Sequence, residues 1–258
     1  VGDVVYLYGL VKSADVEKLG NLTYSTFQSG NITAVYSIED SKEFGFDAFK
    51  SNLKNMAWVE EKVIKHNQLL SDLAFVVTVL PVKFGAVYTS LKAMQATLIS
   101  SQELFNEQLE RVNNGLEWGF KLSYSNELLT TYLMHNDDEV KHHNELSLNG
   151  TSGQRFLAKK KIDTVIKAAI KREVNLLRNS IYEYSLQHSK NHKILPNTSK
   201  ELSTKGWINV LNLALFIGRG EHKQIMLFIE GEIKEANDCG FRMELTGPWP
   251  AYNFVADE

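Results

Sequence analysis

A single cysteine, Cys239, stands in the whole sequence, so no internal disulfide can form and a disulfide scaffold is excluded. Proline is scarce, with 4 residues in 258, which excludes collagen-like and proline-rich linker architectures. No charge of one sign dominates. Lys and Arg number 28 against 31 Asp and Glu, for a net charge of -3. The chain therefore has no global attraction to nucleic acid or anionic lipid, and binding of either kind would need a local patch. Long apolar runs are missing too. Leu73–Val82 is broken by Thr78, and Trp207–Gly218 by Asn209 and Asn212. Both fall short of the roughly 20 residues that span a membrane. No basic region precedes the first apolar run, which reads as a strand and not a signal peptide.

What is present is globular: 43% hydrophobic and 23% charged residues. The length suits two modest domains or one large one. Val4–Val11 is apolar on both alternation faces, Val4, Tyr6, Tyr8 and Leu10 against Val5, Leu7 and Val11, which predicts a strand covered on both sides. Leu22–Phe27 and Ile32–Ile38 flank Ser29-Gly30-Asn31 and read as a hairpin. A short helix is expected over Phe46–Met56 and a longer one over Trp58–Leu73. In the latter Val59, Val63, His66, Leu70 and Leu73 share a face. Phe75–Leu80 reads as a buried strand ended by Pro81. Leu91, Met94, Leu98, Phe105, Leu109 and Val112 form a further helical stripe after a Thr89 or Ser90 N-cap.

Leu116–Tyr124 alternates as a half-buried strand. Residues 125–153 turn polar and read as a surface insertion with one short helix. A long helix follows over Gln154–His188, striped by Ile162, Ile166, Ala169, Val174, Leu177, Ile181 and Tyr184. Ser189–Lys205 reads as a polar connection. Trp207–Ile217 is a second central strand, Glu221–Asp238 a helix with Gly240 at its C-terminal cap, and Phe241–Thr246 a last strand. Few strands, several alternating in polarity, favour two small α+β domains over one parallel sheet. The expected boundaries are 1–114 and 115–258. The second half looks like a split βαβ of ferredoxin type with one strand not located.

Signals for catalysis are weak. Gly218-Arg219-Gly220 sits between strand and helix, but Lys223 stands where a dinucleotide fingerprint needs its third glycine, and Gly-Lys-Ser/Thr is absent. His135, Asp137, Asp138, Glu139, His142 and His143 have metal-ligand types without His-Glu-x-x-His or a cysteine pair, and read as a solvated loop. His188 and His192 fall at a helix end, and His66 on an apolar helix face reads as a packed core histidine. Lys83 to Tyr88 fails the order of an RNA-recognition strand. No carboxylate pair, nucleophile elbow or Cys/His pattern stands out. The expectation is no catalytic residue, no metal and no cofactor. The strongest charge feature is a helix face bearing Lys160, Lys167, Lys171 and Arg178 opposite the Ile162 stripe, either a solvated face or a contact for an acidic partner.

Five segments carry a resemblance beyond this. They are Leu80-Pro81-Val82-Lys83-Phe84-Gly85, Glu117-Trp118-Gly119-Phe120-Lys121, Trp58-Val59-Glu60 with His66, Ser152-Gly153-Gln154-Arg155-Phe156-Leu157 before Lys159-Lys160-Lys161, and Gly247-Pro248-Trp249-Pro250-Ala251-Tyr252-Asn253-Phe254. Taken in chain order, from residue 58 to 254, they resemble the motifs of the gas vesicle GvpF/GvpL family. Lys83 stands where Arg is common, and Ala251 and Asn253 replace Pro and Ser. The resemblance implies a non-enzymatic accessory protein of gas vesicle assembly, with a modified ferredoxin-like C-terminal domain and a variable insertion near 125–153. It implies the hydrophobic shell protein and other accessory proteins as partners, no nucleic acid, no membrane, and a place at the gas vesicle within the cytoplasm. The motif residues Trp58, His66, Pro81, Lys83, Phe84, Gly85, Trp118, Gly119, Gly247, Pro248, Trp249, Pro250, Tyr252 and Phe254 become candidates for fold maintenance or partner contact. The alternative is a small α+β binding module for nucleic acid or a small ligand, which needs a basic sheet face or a deep pocket with convergent polar groups.

Overall fold

The computed structural model describes residues 2–20, 24–196 and 206–255. The chain forms two compact units, one of Val1–Glu117 with Gly247–Glu258 and one of Trp118–Thr246. The expected division falls between 114 and 115, and the two units part between Glu117 and Trp118. The segment from Gly247 onward, expected with the second domain, belongs to the first unit.

The first unit is a five-stranded antiparallel sheet with helices. Its strands are β1 (Asp3–Lys12), β2 (Ser25–Ser29), β3 (Ile32–Asp40), β4 (Val79–Pro81) and β5 (Val87–Tyr88). Leu22 and Thr23, expected to open the hairpin, lie outside the described residues. The strand order is β2-β3-β1-β4, with β5 also on β1. β1 is central, and Val5, Leu7, Leu10 and Val11 are buried. The register against β3 shifts between Leu7 and Gly9, so Tyr8 is an extra residue and the two-residue alternation changes phase there. Strict alternation puts Val11 with Leu7. In the structure Val11 joins the cluster of Leu69, Leu70 and Leu73 with Tyr8 at its edge.

A 3-10 helix (Ser13–Leu19) and helices α1 (Ser41–Phe44), α2 (Phe46–Asn52), α3 (Met56–Val76), α4 (Leu91–Ser100) and α5 (Gln102–Arg111) complete this unit. Helix α3 begins where the Asn55 side chain accepts the Trp58 N–H, and α4 where Ser90 Oγ accepts that of Ala93. The strand expected from Phe75 is wrong at its start. Phe75 and Val76 form the last turn of α3, with Phe75 78% exposed, and β4 takes only Val79–Pro81. A short apolar run cannot by itself tell a helix end from a buried strand.

The second unit holds β6 (Gly115–Ser125, shared across the boundary), α6 (Asn126–Asn136), α7 (Asp138–Asn149), α8 (Ser152–His188), β7 (Asn191–Ile194), β8 (Trp207–Gly218), α9 (His222–Asp238) and β9 (Phe241–Trp249). The sheet order is β7-β8-β6-β9. Strand β7, antiparallel to β8, lies in the stretch read as a polar connection; residues 197–205 of that connection lie outside the described residues. Asn191, His192 and Lys193 give β7 no apolar pattern, so its pairing comes from the backbone.

The expected surface insertion is a second correction. Residues 126–149 form two helices, and Leu129, Leu133 and Val140 enter the main core with Phe120, Leu122, Ile181, Leu213 and Ile229. Asp137 caps α7 by accepting the Val140 N–H at 2.8 Å and pairs with Arg172 of α8. Helix α8 starts with a capping box, Thr151 N–H donating to Gln154 Oε1 at 2.9 Å and Thr151 Oγ1 accepting the Gln154 N–H. Polar composition hid these helices because only two residues of each are buried, Leu129 and Leu133 in α6 and Val140 and Ser147 in α7. Leu133→Ala should therefore cost about 3 kcal/mol in urea unfolding, where a surface insertion would show no change.

Candidate functional site

The residues of the first motifs converge in the first unit. His66 projects from α3 and is 1% exposed. Its Nε2 lies 3.0 Å from the Val82 carbonyl oxygen and its Nδ1 3.0 Å from the Tyr6 hydroxyl. A carbonyl only accepts, so Nε2 carries the proton and Nδ1 accepts from Tyr6 O–H. The Tyr6 oxygen in turn accepts the Gly85 N–H at 3.1 Å. A continuous chain thus runs from Gly85 through Tyr6 and His66 to Val82, with both ring nitrogens satisfied. It ties the Val82–Gly85 turn to β1 and α3.

Burial holds the His66 imidazole below its ordinary pKa, and the Val82 hydrogen bond pulls back only in part. Burial likewise pushes the Tyr6 hydroxyl well above the usual phenol range. Both groups are neutral at pH 7. Gly85 has φ +92, and a Cβ there would stand 2.9 Å from the Phe49 ring, so a side chain is excluded on both counts. Phe84 packs edge-on to His66, with centroids 5.8 Å apart. Trp58 lies beside Phe44 and Phe49 and donates its Nε1–H to Glu43 at 2.7 Å. Lys62 pairs with the same carboxylate at 2.8 Å and sits over the Phe44 and Trp58 rings. The Lys62 hydrogen bond, with help from Trp58, holds Glu43 below the usual carboxylate range.

The C-terminal motif completes this unit. Glu117, 7% exposed, accepts from the Asn253 backbone N–H at 2.8 Å and from its side-chain amide. Tyr252 donates its hydroxyl proton to Asn67 Oδ1 at 3.2 Å, and burial with the nearby Glu117 charge keeps that hydroxyl protonated. Pro250, Ala251 and Phe254 are buried. Trp249 is 44% exposed, and Gly247 and Pro248 are exposed as well. The rigid segment leading in stays at the surface, and the anchoring falls to the residues after it.

Between the two motifs lies a cavity of about 350 Å³, lined by Leu7, Leu10, Leu80, Phe105, Gln108 and Tyr252, with the Pro81–Ala86 turn on its wall. Lys83 is exposed and forms no ion pair among the described residues.

The other candidates lie in the second unit. Trp118 is buried and stacks on His222 at 5.5 Å. A Cβ on Gly119 would stand 2.7 Å from Thr246 Oγ1, so this position admits the β9 side chain. Lys160, Lys167 and Lys171 are exposed along α8, and Arg178 is half-buried against Asn179. Among the described residues no group of three His, Cys, Asp or Glu side chains gathers as a metal site, and no helix is long and apolar enough to cross a membrane.

Three residues of this arrangement are missing from the sequence reading: Tyr6, Gln108 and Glu117. Tyr6 was visible only as a strand residue. Glu117 sat on the polar side of the alternation, and its place beside Trp118 in a motif was the one signal available.

The sequence model described as "Gas vesicle synthesis protein GvpL/GvpF" matches residues 4–256. The chain belongs to the GvpL/GvpF family. It is 23% identical to gas vesicle protein L of Streptomyces sp. (strain CB03234) over 263 aligned positions, covering 98% of this chain and 94% of that protein. Its fold matches the crystal structure of GvpF from Anabaena sp. PCC7120 with a TM-score of 0.66 at 15% identity, covering 100% of this chain and 98% of that one. It matches GvpF from Microcystis aeruginosa with a TM-score of 0.63 at 14% identity, covering 98% and 99%. GvpL/GvpF membership supports an accessory role in gas vesicle formation.

The His66 chain makes stability depend on pH. The folded pKa is depressed and the unfolded one is near the ordinary 6.5, so the unfolded state binds more protons at low pH. The contribution is full above pH 6.5 and is lost as pH falls below it. Urea midpoints should drop between pH 7.5 and 5.5. His66→Ala should cost about 2–4 kcal/mol at pH 7.5 and flatten that drop.

Proposed function

We propose that this protein is a non-enzymatic assembly factor that binds the gas vesicle shell subunit and delays its self-association until it joins the shell. The observation that carries this reading is the match to the gas vesicle synthesis family over residues 4–256. Other gas vesicle accessory proteins are further partners in it, and the gas vesicle within the cytoplasm is its setting.

The physical need for such a helper is clear. A subunit that walls off gas must present an apolar face, and one that assembles through strands presents open strand edges. Both are aggregation hazards before assembly. A partner can cover the face or pair with the edge and then release it. Two features of this chain support that mode. Strand β2 stands at one end of its sheet order, and its residues Ser25, Thr26 and Gln28 are exposed. Phe46, Met56 and Phe75 are large apolar side chains left exposed in the first unit. The Lys160, Lys167 and Lys171 face offers a separate, electrostatic route.

Salt separates the routes. The Debye length is about 8 Å at 0.15 M and about 3 Å at 1 M. Association with the shell subunit should persist across that range if apolar burial or strand pairing carries it. A variant with Lys160, Lys167 and Lys171 changed to Glu should then bind as the native protein does. The measurement is co-sedimentation across the salt series, with light scattering of the shell subunit alongside. No association at any salt, with shell aggregation at its unassisted rate, refutes the proposal.

A further inference from the structure

We propose that this protein associates with copies of itself head to tail, the exposed start of α8 in one copy docking on the outward face of α5 in the next. This contact is separate from shell binding and forms without the shell subunit.

Packing does not account for the first turns of α8. From Ser152 to Lys161 only Ala158 is buried. Phe156 and Leu157 are 68% and 58% exposed, and Leu148, near the end of α7, is exposed as well. At 3.6 residues per turn, Phe156 and Lys160 stand opposite Ala158, with Leu157 beside them. Arg155, Lys159, Lys160 and Lys161 crowd the same two turns, and residues 146–162 contain no acid. None of these four cations enters an ion pair among the described residues. A helix end that leaves large apolar side chains in water among unpaired charges of one sign is a surface for a partner that is apolar and acidic.

The chain itself carries that complement. On α5, Glu103, Leu104 and Glu107 are exposed on the side away from the buried Leu109. Ile99, in the last turn of α4, is an exposed large apolar residue too. Glu110 is held by Lys12 at 2.7 Å, and Arg111 ends the helix. Glu103 and Glu107 enter no ion pair among the described residues. Each face thus joins two large apolar side chains to unpaired charge, and the signs are opposite. Docking covers Phe156 and Leu157 with Ile99 and Leu104, while the lysines meet the glutamates. Apolar burial supplies the attraction and the charges fix the orientation. The two faces are different surfaces, one on each unit, so the contact is heterologous and copies add into open chains or rings.

The test uses the full chain alone, its mass in solution followed by sedimentation over a concentration series. At low salt the native protein should gain mass as concentration rises, and less so at about 1 M salt, where the Debye length is about 3 Å. One variant carries Lys160→Glu with Lys161→Glu, the other Glu103→Lys with Glu107→Lys. All four positions are exposed, so both variants should melt at the native midpoint. Each alone should self-associate about tenfold more weakly, because like charges then face each other. Mixed in equal amounts they should associate again, since every contact between unlike copies brings opposite charges together. Recovery in the mixture also shows that both variants are folded. If the native protein associates and neither variant weakens it, the contact lies elsewhere and the proposal falls. If the mixture associates no better than either variant alone, it falls as well. If the native protein stays monomeric at every concentration, the proposal is overturned; sedimentation of that monomer with vesicles of anionic lipid would then show the α8 face to be a lipid surface.

Discussion

Four groups in a line, Gly85 N–H, Tyr6 O–H, the His66 ring and the Val82 carbonyl, hold the first unit in register. Each is a buried or half-buried polar group that would be costly alone. Linked, they fix the direction in which the chain leaves β4, and so the wall of the cavity and the position of Phe84 against the aromatic cluster. The motif residues around them have matching reasons. Pro81 ends β4, Gly85 tolerates the positive φ, and His66 has neutral form and tautomer set by its partners. Chemistry that looks catalytic in a sequence, a histidine beside a tyrosine, serves here as a strut. The network leaves no ring nitrogen free to act on a substrate.

The C-terminal motif depends on a second buried polar group. Glu117 is a buried acid, and Asn253 meets it with a backbone and a side-chain donor. Such a carboxylate is tolerable only when its lone pairs are occupied. Asn at 253, where the family's motif has Ser, supplies the second donor through its amide. The departure from the motif is therefore chemically compatible with the contact it makes.

Much of this fold was legible from periodicity. The central strands β1, β6 and β8 and the helices α3, α8 and α9 have strong patterns because each is packed along most of its length. The misses share a cause. The Tyr8 bulge flips the phase of β1 without any mark in the residue types. Strand β7 has no apolar face to announce it. Helices α6 and α7 contribute only a few inward residues each, and their polar remainder masked Leu129, Leu133 and Val140. In the site, the short motifs located Pro81 to Gly85 and Tyr252, but not the contacts that Tyr6 and Glu117 make with them. Those come from segments distant in sequence, and single-chain patterns carry no information about such pairs.

The return of the segment from Gly247 to the first unit has a consequence for how the protein is made. A ribosome releases the chain from its N-terminus, and domains tend to fold as they emerge. Here Trp118–Thr246 is continuous and has all its residues before the chain ends. The first unit, although synthesised earlier, waits for Pro250, Ala251, Tyr252, Asn253 and Phe254 before its core and the Glu117 carboxylate are closed. The order of completion is the reverse of the order of synthesis, and a nascent chain holds an open first unit until the segment from Gly247 has emerged.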